Sequence, residues 1–186
     1  MNELVFLLEE SSAEAMLRGV LPRLCSDNIA IRYIVFEGKQ DLEKQMVRRL
    51  QGYRNPEARF VVLRDKDSAD CRTVKNELVR KCTQARKPKT LVRIACHELE
   101  SWYLADLAAV ERALNIRNLA AKQNKAKYRT PDSLANAAEE LEILTGKRYQ
   151  KIAGSRAIGP YLNVTNTRSH SFSVFISGLQ KLIGKN

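Results

Sequence analysis

The residues best suited to chemistry are three pairs of acids, each just after an apolar run of the kind that forms a buried strand. They are Glu9 and Glu10 after "LVFLL", Asp65 and Asp67 at the end of "VVLRDKD", and Glu98 and Glu100 after "LVRIACH". Carboxylate oxygens are the ligands that Mg²⁺ and Mn²⁺ prefer. Two carboxylates about 4 Å apart at an effective dielectric near 20 repel by about 4 kcal/mol, so acids brought together there would need a cation.

The spacing of Asp65 and Asp67 suits such a site. Alternate residues just beyond a strand point to the same side, so one spacer lets both carboxylates face one ion while Lys66 points elsewhere or reaches a phosphate. A D-x-D sequence also suits helix capping, because Asp67, Ser68 and Asp70 are all good N-cap residues. Capping alone leaves the acids after the other two strands unexplained, so the sequence favours an acidic metal site.

The first half of the chain alternates strands with helices. Strands are predicted at 3–8, 29–37, 58–65 and 90–98, and amphipathic helices at 13–25, 38–53 and 69–87. Such alternation predicts a mostly parallel, Rossmann-like four-stranded sheet flanked by helices. Ligands of open parallel sheets collect outside the carboxyl ends of the strands, which is where the three pairs of acids lie.

From residue 100 onward the pattern is helical, with predicted helices at 100–114, 132–144 and 171–183 joined by basic connectors. We therefore expect an α/β core over residues 1–106 and a helical, basic extension over 107–186, packed on it as one compact unit. Lys151, Arg156 and Arg168 belong to the extension and are candidate phosphate contacts if it folds over the carboxyl edge of the sheet.

Charge points to a polyanionic partner. The 186 residues hold 32 Lys and Arg against 21 Asp and Glu, a formal net charge of +11, which attracts nucleic acid first and an anionic membrane surface second. No apolar run approaches the ~20 residues of a membrane span, and the start lacks the features of a signal peptide, so a cytoplasmic location is expected. Four scattered cysteines without a C-x-x-C argue against a zinc site or a disulfide framework.

Three stretches, "LVFLLEESSAEAMLRGVLPRL", "VVLRDKDS" and "HELESWYLAD", together resemble the bacterial family catalogued as domain of unknown function 4276, itself similar to a divergent member of the Toprim superfamily. The resemblance covers residues 4 to about 106, with a fainter echo in "RYQKIAGSRAI" and "RSHSFSVFISGL". It implies a Toprim-like α/β fold. In Toprim proteins a glutamate ends the first strand and a D-x-D ends the third, and both groups hold divalent metal in topoisomerases, primases and the overcoming-lysogenization-defect nucleases.

Carried over by position, the resemblance makes Glu9, Asp65 and Asp67 the metal-binding and catalytic residues. Further candidate ligands are Glu10, which replaces the usual glycine, Glu14 one turn into the next helix, and Glu98 and Glu100 of the "ELE" segment. It implies Mg²⁺ or Mn²⁺ as cofactor, hydrolysis of phosphodiester bonds in DNA or transfer RNA, and a role in anti-phage defence beside an ATPase of the ABC type. Trp102 is predicted to be a core residue.

Two other classes of function compete with a nuclease. A hydrolase of the haloacid dehalogenase type also has an apolar strand followed by D-x-D, but its motif sits on the first strand and is followed by glycine and threonine, where this chain has Ser68 and Ala69. A non-catalytic binding module that kept the fold and docks on a partner ATPase or a nucleic acid is the stronger rival. Metal-dependent cleavage separates it from the nuclease.

Overall fold

The fold is built on a four-stranded, all-parallel sheet. The computed structural model describes residues 3–184. The strands are β1 (Glu3–Leu8), β2 (Ala30–Val35), β3 (Arg59–Asp65) and β4 (Leu91–Ala95), in the spatial order β2-β1-β3-β4. All four run in one direction, so their carboxyl ends meet at one edge. This edge is called the carboxyl edge below, and the opposite one the amino edge.

Three helices connect the strands in the predicted alternation: α1 (Ser11–Val20), α2 (Lys39–Gln51) and α3 (Cys71–Gln84). The predicted helix over 13–25 ends earlier, because Pro22 lacks the N–H of a continuing helix and a 3₁₀ turn follows at Leu21–Arg23. Helices α2 and α3 cover one face of the sheet, where they pack on Leu7 and Val62. Alternate residues such as Leu8 and Leu63 point to the other face, which is covered by α1 and by the second half of the chain.

The second half, up to residue 184, contains five α-helices: α4 (Glu100–Leu104), α5 (Leu107–Leu114), α6 (Ala137–Leu144), α7 (Lys151–Ile158) and α8 (His170–Leu182). The prediction of a single helix over 100–114 is wrong, because the helix is interrupted at Ala105 and Asp106. Asp106 caps α5 by accepting a hydrogen bond from the Ala109 N–H at 3.2 Å. The helix expected over 132–144 begins at residue 137, after a separate 3₁₀ turn at Pro131–Ser133.

Helix α7 was not predicted, since it is short and carries a glycine, yet it packs closely on α1. At Gly159, just after α7, an added Cβ would lie 2.4 Å from the carbonyl oxygen of Met16. Gly19 on the same side of α1 would meet Pro160 at 2.5 Å. The two glycines therefore let α1 and the end of α7 approach with backbone nearly in contact, which fixes where the start of α7 lies relative to the carboxyl edge.

Trp102 is a core residue, as predicted. Its ring is buried at 1% exposure between Phe172 and Phe175, and its indole N–H donates to the Ser171 hydroxyl at 2.7 Å. Helix α8 is thereby joined to α4. Between residues 3 and 184, no helix is both long and apolar enough to cross a membrane.

Replacing Gly159 with alanine should destabilise the protein. Because backbone of α1 blocks the space that the new methyl group needs, we expect a loss of about 1–3 kcal/mol in the free energy of unfolding, measured by urea denaturation. Gly52→Ala at the exposed end of α2 is the control, since its nearest neighbour is a single carbonyl at 3.2 Å. Equal stability of Gly159→Ala and Gly52→Ala would contradict the close approach.

Candidate functional site

Glu9 and Asp65 are brought together by adjacent parallel strands. Strands β1 and β3 pair in register up to Leu8 and Leu63, so the residues that follow leave the sheet side by side. The Glu9 carboxylate turns back over the end of β3, where its Oε2 accepts a hydrogen bond from the backbone N–H of Asp65 at 3.2 Å. The side chain after one strand is thus fixed by the backbone of the next.

The loops after β3 and β4 are joined by hydrogen bonds that place the D-x-D. The backbone N–H of Asp67 donates to the carbonyl of His97 at 2.8 Å, and Asp65 Oδ2 accepts from the Leu99 N–H at 3.2 Å. Asp67 and His97 both have left-handed backbone, with φ of 54° and 60°. Aspartate and histidine are among the few side chains enriched in that region, which is why these loops can turn so tightly without glycine.

Glu100 reaches the same edge from the start of α4. Glu100 is only 1% exposed, and its Oε1 accepts a hydrogen bond from the Tyr149 hydroxyl at 2.7 Å. Its other oxygen, Oε2, is buried and has no hydrogen-bond partner among the described residues. A buried carboxylate oxygen without a partner is costly, so this atom is the strongest single sign that something else belongs here.

The carboxylates of Glu9, Glu10, Asp65, Asp67 and Glu100 form one interacting group, called the acidic cluster below. Burial raises the pKa of Asp65 well above its usual value, and the charges of Glu100, Glu10 and Glu9 raise it further. Burial also raises the pKa of Glu9, with the charge of Asp67 adding to it. The pKa of Glu100 is raised by burial, against the hydrogen bond from Tyr149. The charges of neighbouring acids therefore add to burial in opposing the ionisation of Asp65 and Glu9.

Basic side chains partly balance the acidic cluster. Lys39, the first residue of α2, lies 2.8 Å from Asp67 Oδ2, and Lys151, the first residue of α7, lies 2.7 Å from Glu10 Oε2. Both lysines are about half exposed. Arg64 is buried at the end of β3, pairs with Glu43 of α2, and has its Nε 3.8 Å from Glu9 Oε2. Two of the acids thus have an exchangeable partner at the surface, while Glu9 faces a buried one.

Several predicted site residues are engaged elsewhere. Glu14 pairs with Arg18 along α1 at 2.7 Å, and the Glu98 carboxylate accepts a hydrogen bond from the Ala138 N–H at 2.7 Å, where it caps α6. The Lys66 ammonium lies 3.2 Å from His97 Nε2. Arg156 and Arg168 are exposed, and their side chains have no hydrogen bond or ion pair within residues 3–184. Lys151 is the predicted phosphate contact that reaches the acidic cluster.

Sequence reasoning missed Lys39, Arg64 and Tyr149. A signal existed for the first two, because Lys39 starts the helix that follows β2 at the carboxyl edge, and Arg64 is a charge inside an otherwise apolar strand. Tyr149 lies 49 residues beyond Glu100, and nothing in the local sequence indicates that they meet.

The acidic cluster is not a preformed ligand shell. Across residues 3–184, no three Asp, Glu, His or Cys side chains are already arranged as a group that could hold a metal ion. The reason lies in the ion pairs, since Asp67 is turned toward Lys39 and Glu10 toward Lys151. The side chains of Asp67 and Glu10 would have to rotate away from their lysines before they could bind the same ion as the buried acids.

Comparison with known proteins places this arrangement in a family. The family model described as Domain of unknown function (DUF4276) matches residues 8–180. The chain belongs to this family. The predicted resemblance is therefore confirmed, and it extends through the helical second half of this DUF4276 member, well beyond residue 106.

One solved structure shares the fold of this DUF4276 member over its full length. The C-terminal region of the OLD protein from Burkholderia pseudomallei aligns with a TM-score of 0.56 and 14% sequence identity, over 97% of this chain and 98% of that one. The expected Toprim-like α/β fold with a helical extension is confirmed by this similarity and by the parallel sheet. A comparison with curated protein sequences found no significant match.

Replacing Asp65 with asparagine should stabilise the protein at neutral pH. A carboxyl whose pKa is raised on folding binds more protons in the folded state, so the free energy of unfolding falls as the pH rises above about 4. The asparagine side chain would keep the acceptor for the Leu99 N–H and remove the repulsion. We expect Tm to rise at pH 7, by about 2–4 °C for each kcal/mol gained, and the difference from wild type to shrink toward pH 4.

Asp70→Asn provides the matched control for this Tm measurement. Hydrogen bonds from Thr73 lower the pKa of Asp70, so its charge stabilises the folded state above the ordinary pKa and its loss should not raise Tm. A lower Tm for Asp65→Asn than for wild type at pH 7 would show that the charge of Asp65 does not destabilise the folded protein.

Proposed function

We propose that this protein is a divalent-metal-dependent nuclease that hydrolyses phosphodiester bonds in DNA or RNA. The observation that carries the proposal is the acidic cluster, in which the pKa values of Glu9, Asp65 and Glu100 are all raised and one buried carboxylate oxygen lacks a partner among the described residues. A group of acids that repel one another at the carboxyl edge of a parallel sheet is stabilised by a bound cation.

The residues present suit Mg²⁺ or Mn²⁺. All the available donors are carboxylate oxygens, which these hard ions prefer, and Glu100 Oε2 is a donor with no competing hydrogen bond from the described part of the chain. Glu9, Asp65 and Asp67 would hold the ion, with Glu10 and Glu100 as further ligands. A bound divalent cation would supply Lewis acidity that polarises a phosphoryl oxygen and makes water a competent nucleophile at neutral pH.

The chain's own residues would hold and orient the substrate. Lys151 and Lys39 flank the acidic cluster from α7 and α2, and each is exposed enough to meet a phosphate oxygen. Lys66, in the loop after β3, would be a third contact if its ammonium left His97. Tyr149 fixes the orientation of Glu100, and Arg64 offsets the charge of Glu9 from within the protein.

The fold supports the proposal. The structural similarity to the C-terminal region of the OLD protein and the resemblance to Toprim proteins at Glu9, Asp65 and Asp67 both agree with a nuclease. By the same resemblance, a role as a cytoplasmic defence effector that acts with an ATPase of the ABC type is part of the proposal. The ligand roles of Glu14 and Glu98 are its weakest part, because both carboxylates are engaged in structural contacts.

A non-catalytic binding module is the second candidate, and the ion pairs favour it. Because Lys39 and Lys151 already neutralise Asp67 and Glu10, part of the acidic cluster is balanced without any metal. In this alternative the lysines are permanent partners of the acids, and the protein docks on an ATPase or a nucleic acid without cutting it.

Incubation with plasmid DNA and with total transfer RNA tests the nuclease directly. We expect cleavage with Mg²⁺ or Mn²⁺, none with chelator, and a loss of at least about a hundredfold in the double variant Asp65→Asn, Asp67→Asn, because two ligand charges are removed. Asp70→Asn, next to the same loop, should retain wild-type cleavage. The assay is run with and without an ATPase of the ABC type, the proposed partner, and absence of cleavage in both would favour the binding module.

Lys39→Gln should bind Mn²⁺ more tightly than wild type. Exposed ion pairs are weak, so freeing Asp67 from Lys39 should lower the Kd only modestly, by about two- to fivefold in calorimetric titration. Lys44→Gln is the matched control, since this exposed lysine of α2 has no ion pair within the described residues. An unchanged Kd in Lys39→Gln would mean that Asp67 does not contact the ion.

A further inference from the structure

The amino edge of the sheet carries a concentration of positive charge that the acidic cluster does not explain. Six basic residues gather where α2 and α3 end and where β3 and β4 begin: Arg48, Arg49, Arg54, Arg86, Lys87 and Lys89. They are called the amino-edge cations below. Within residues 3–184, none of them forms an ion pair with an acid. Their charges are therefore available to a partner.

Three grooves lie between the amino-edge cations. One of about 500 Å³ is lined by Arg48, Arg49 and Tyr53, and a second of about 670 Å³ shares Tyr53 and adds Arg54. A third groove of about 550 Å³ is lined by Arg86, Lys87 and Lys89.

The first two grooves share Gly52 and Tyr53, and the third is lined by Phe60, whose largely buried ring contacts Tyr53. Tyr53 contacts Phe60 edge to face at 5.2 Å, and the Lys87 ammonium lies 5.2 Å from the centre of the Phe60 ring. The carboxylates that line the grooves are Glu3 and Glu57. Glu3 is already paired with Arg32 and with Asn55, so its charge does not offset the amino-edge cations.

Helix capping accounts for only part of this charge. Arg48 and Arg49 lie in the last turn of α2, where cations stabilise the negative end of the helix dipole. Arg54, Arg86 and Lys89 lie in connections outside any helix, and their side chains make no hydrogen bond within the described residues. Helix capping and ion pairing therefore do not account for these three charges beside the grooves.

We propose that the amino edge is a second surface for nucleic acid, which binds the phosphate backbone away from the acidic cluster. Four strands spaced about 4.8 Å apart make an edge about 14 Å wide. A duplex carries one phosphate per about 1.7 Å of its axis, so this width suits several phosphates rather than a single anion. The partly buried Tyr53 lines two of the grooves and offers the exposed part of its ring for contact with a base.

The surface fits nucleic acid better than a membrane. Binding to a bilayer adds inserted apolar side chains to the electrostatic attraction. In the described part of the chain, the large apolar side chains that are strongly exposed are Val79, Ile143, Ile152 and Tyr161. None of them lines the three grooves.

The amino edge lies about 20 Å from the carboxyl edge, given strands of five to seven residues that rise about 3.3 Å per residue. A nucleic-acid segment bound at the amino edge is therefore too far from the acidic cluster to be the segment that is cut. The surface would hold a long nucleic acid near the protein while a different segment reaches the acidic cluster. This inference goes beyond the proposed nuclease and needs no metal.

The test is binding in EDTA, measured by fluorescence anisotropy with a labelled 30-base-pair DNA duplex and with a labelled transfer RNA. The amino-edge variant carries glutamine at four positions: Arg49, Arg54, Arg86 and Lys89. The control variant carries glutamine at four basic positions of the helical extension: Arg117, Lys122, Lys125 and Arg129. Both lose the same net charge, and equal Tm values show that both are folded.

We expect the amino-edge variant to lose at least about tenfold in affinity for one or both probes at 100 mM NaCl, while the control stays within about twofold of wild type. Each phosphate contact contributes about 0.9 to the slope of log K against log salt for a duplex, so the slope should flatten by about 3–4 for DNA. Equal losses in the two variants, or none in either, would overturn the proposal.

A second measurement separates nucleic acid from lipid. Wild type and both variants are sedimented with phosphatidylserine vesicles in the same buffer. If the amino-edge variant loses vesicle binding but keeps its affinity for both nucleic acids, the surface is a membrane contact and the proposal is wrong. Because chelator is present throughout, neither result depends on whether the acidic cluster holds metal, so failure of this inference leaves the proposed nuclease untouched.

Discussion

Repulsion among carboxylates at the carboxyl edge is the constraint on which the rest of the site depends. Parallel strands end at the same edge, so acids that are 56 residues apart in the chain, Glu9 and Asp65, become neighbours. The fold must then provide what holds them there. The main-chain N–H groups of Asp65 and Leu99 donate hydrogen bonds to the acids, and the buried Arg64 lies beside Glu9. Lys39 of α2 and Lys151 of α7 pair with two further acids from opposite faces of the sheet.

The second half of the chain is therefore part of the site. Tyr149 and Lys151 both come from the region around the start of α7, and both contact acids contributed by the first hundred residues. Their positions follow from the close packing of α1 against Gly159. The match of the DUF4276 family to residues 8–180 is consistent with this, since it treats the sheet and the helices as one unit.

Local patterns in the sequence are sufficient for the sheet and for the acids that follow it. Strands such as β1 and β3 are short apolar runs between turns, and the carboxyl ends of parallel strands converge by geometry, so Glu9 and Asp65 could be paired in advance. The short α7 depends on tertiary contacts that no local pattern encodes. The break at Ala105 does have a local signal, the N-cap residue Asp106, which the helical pattern over 100–114 obscured. Local sequence also misleads at Glu98. The "ELE" pattern suggests a metal ligand, but the carboxylate caps a helix that begins 39 residues later.

The left-handed backbone at Asp67 limits which residue types can occupy this position. The position has to accept a positive φ and also present an acid to the edge of the sheet, and few residue types satisfy the first demand. Glutamate would keep the charge but is less suited to the backbone, and glycine would keep the backbone but lose the charge. Asparagine also tolerates the turn and is neutral, and unlike glycine it keeps the size of the side chain. Natural variation at this position should therefore report whether the charge or the turn is under selection.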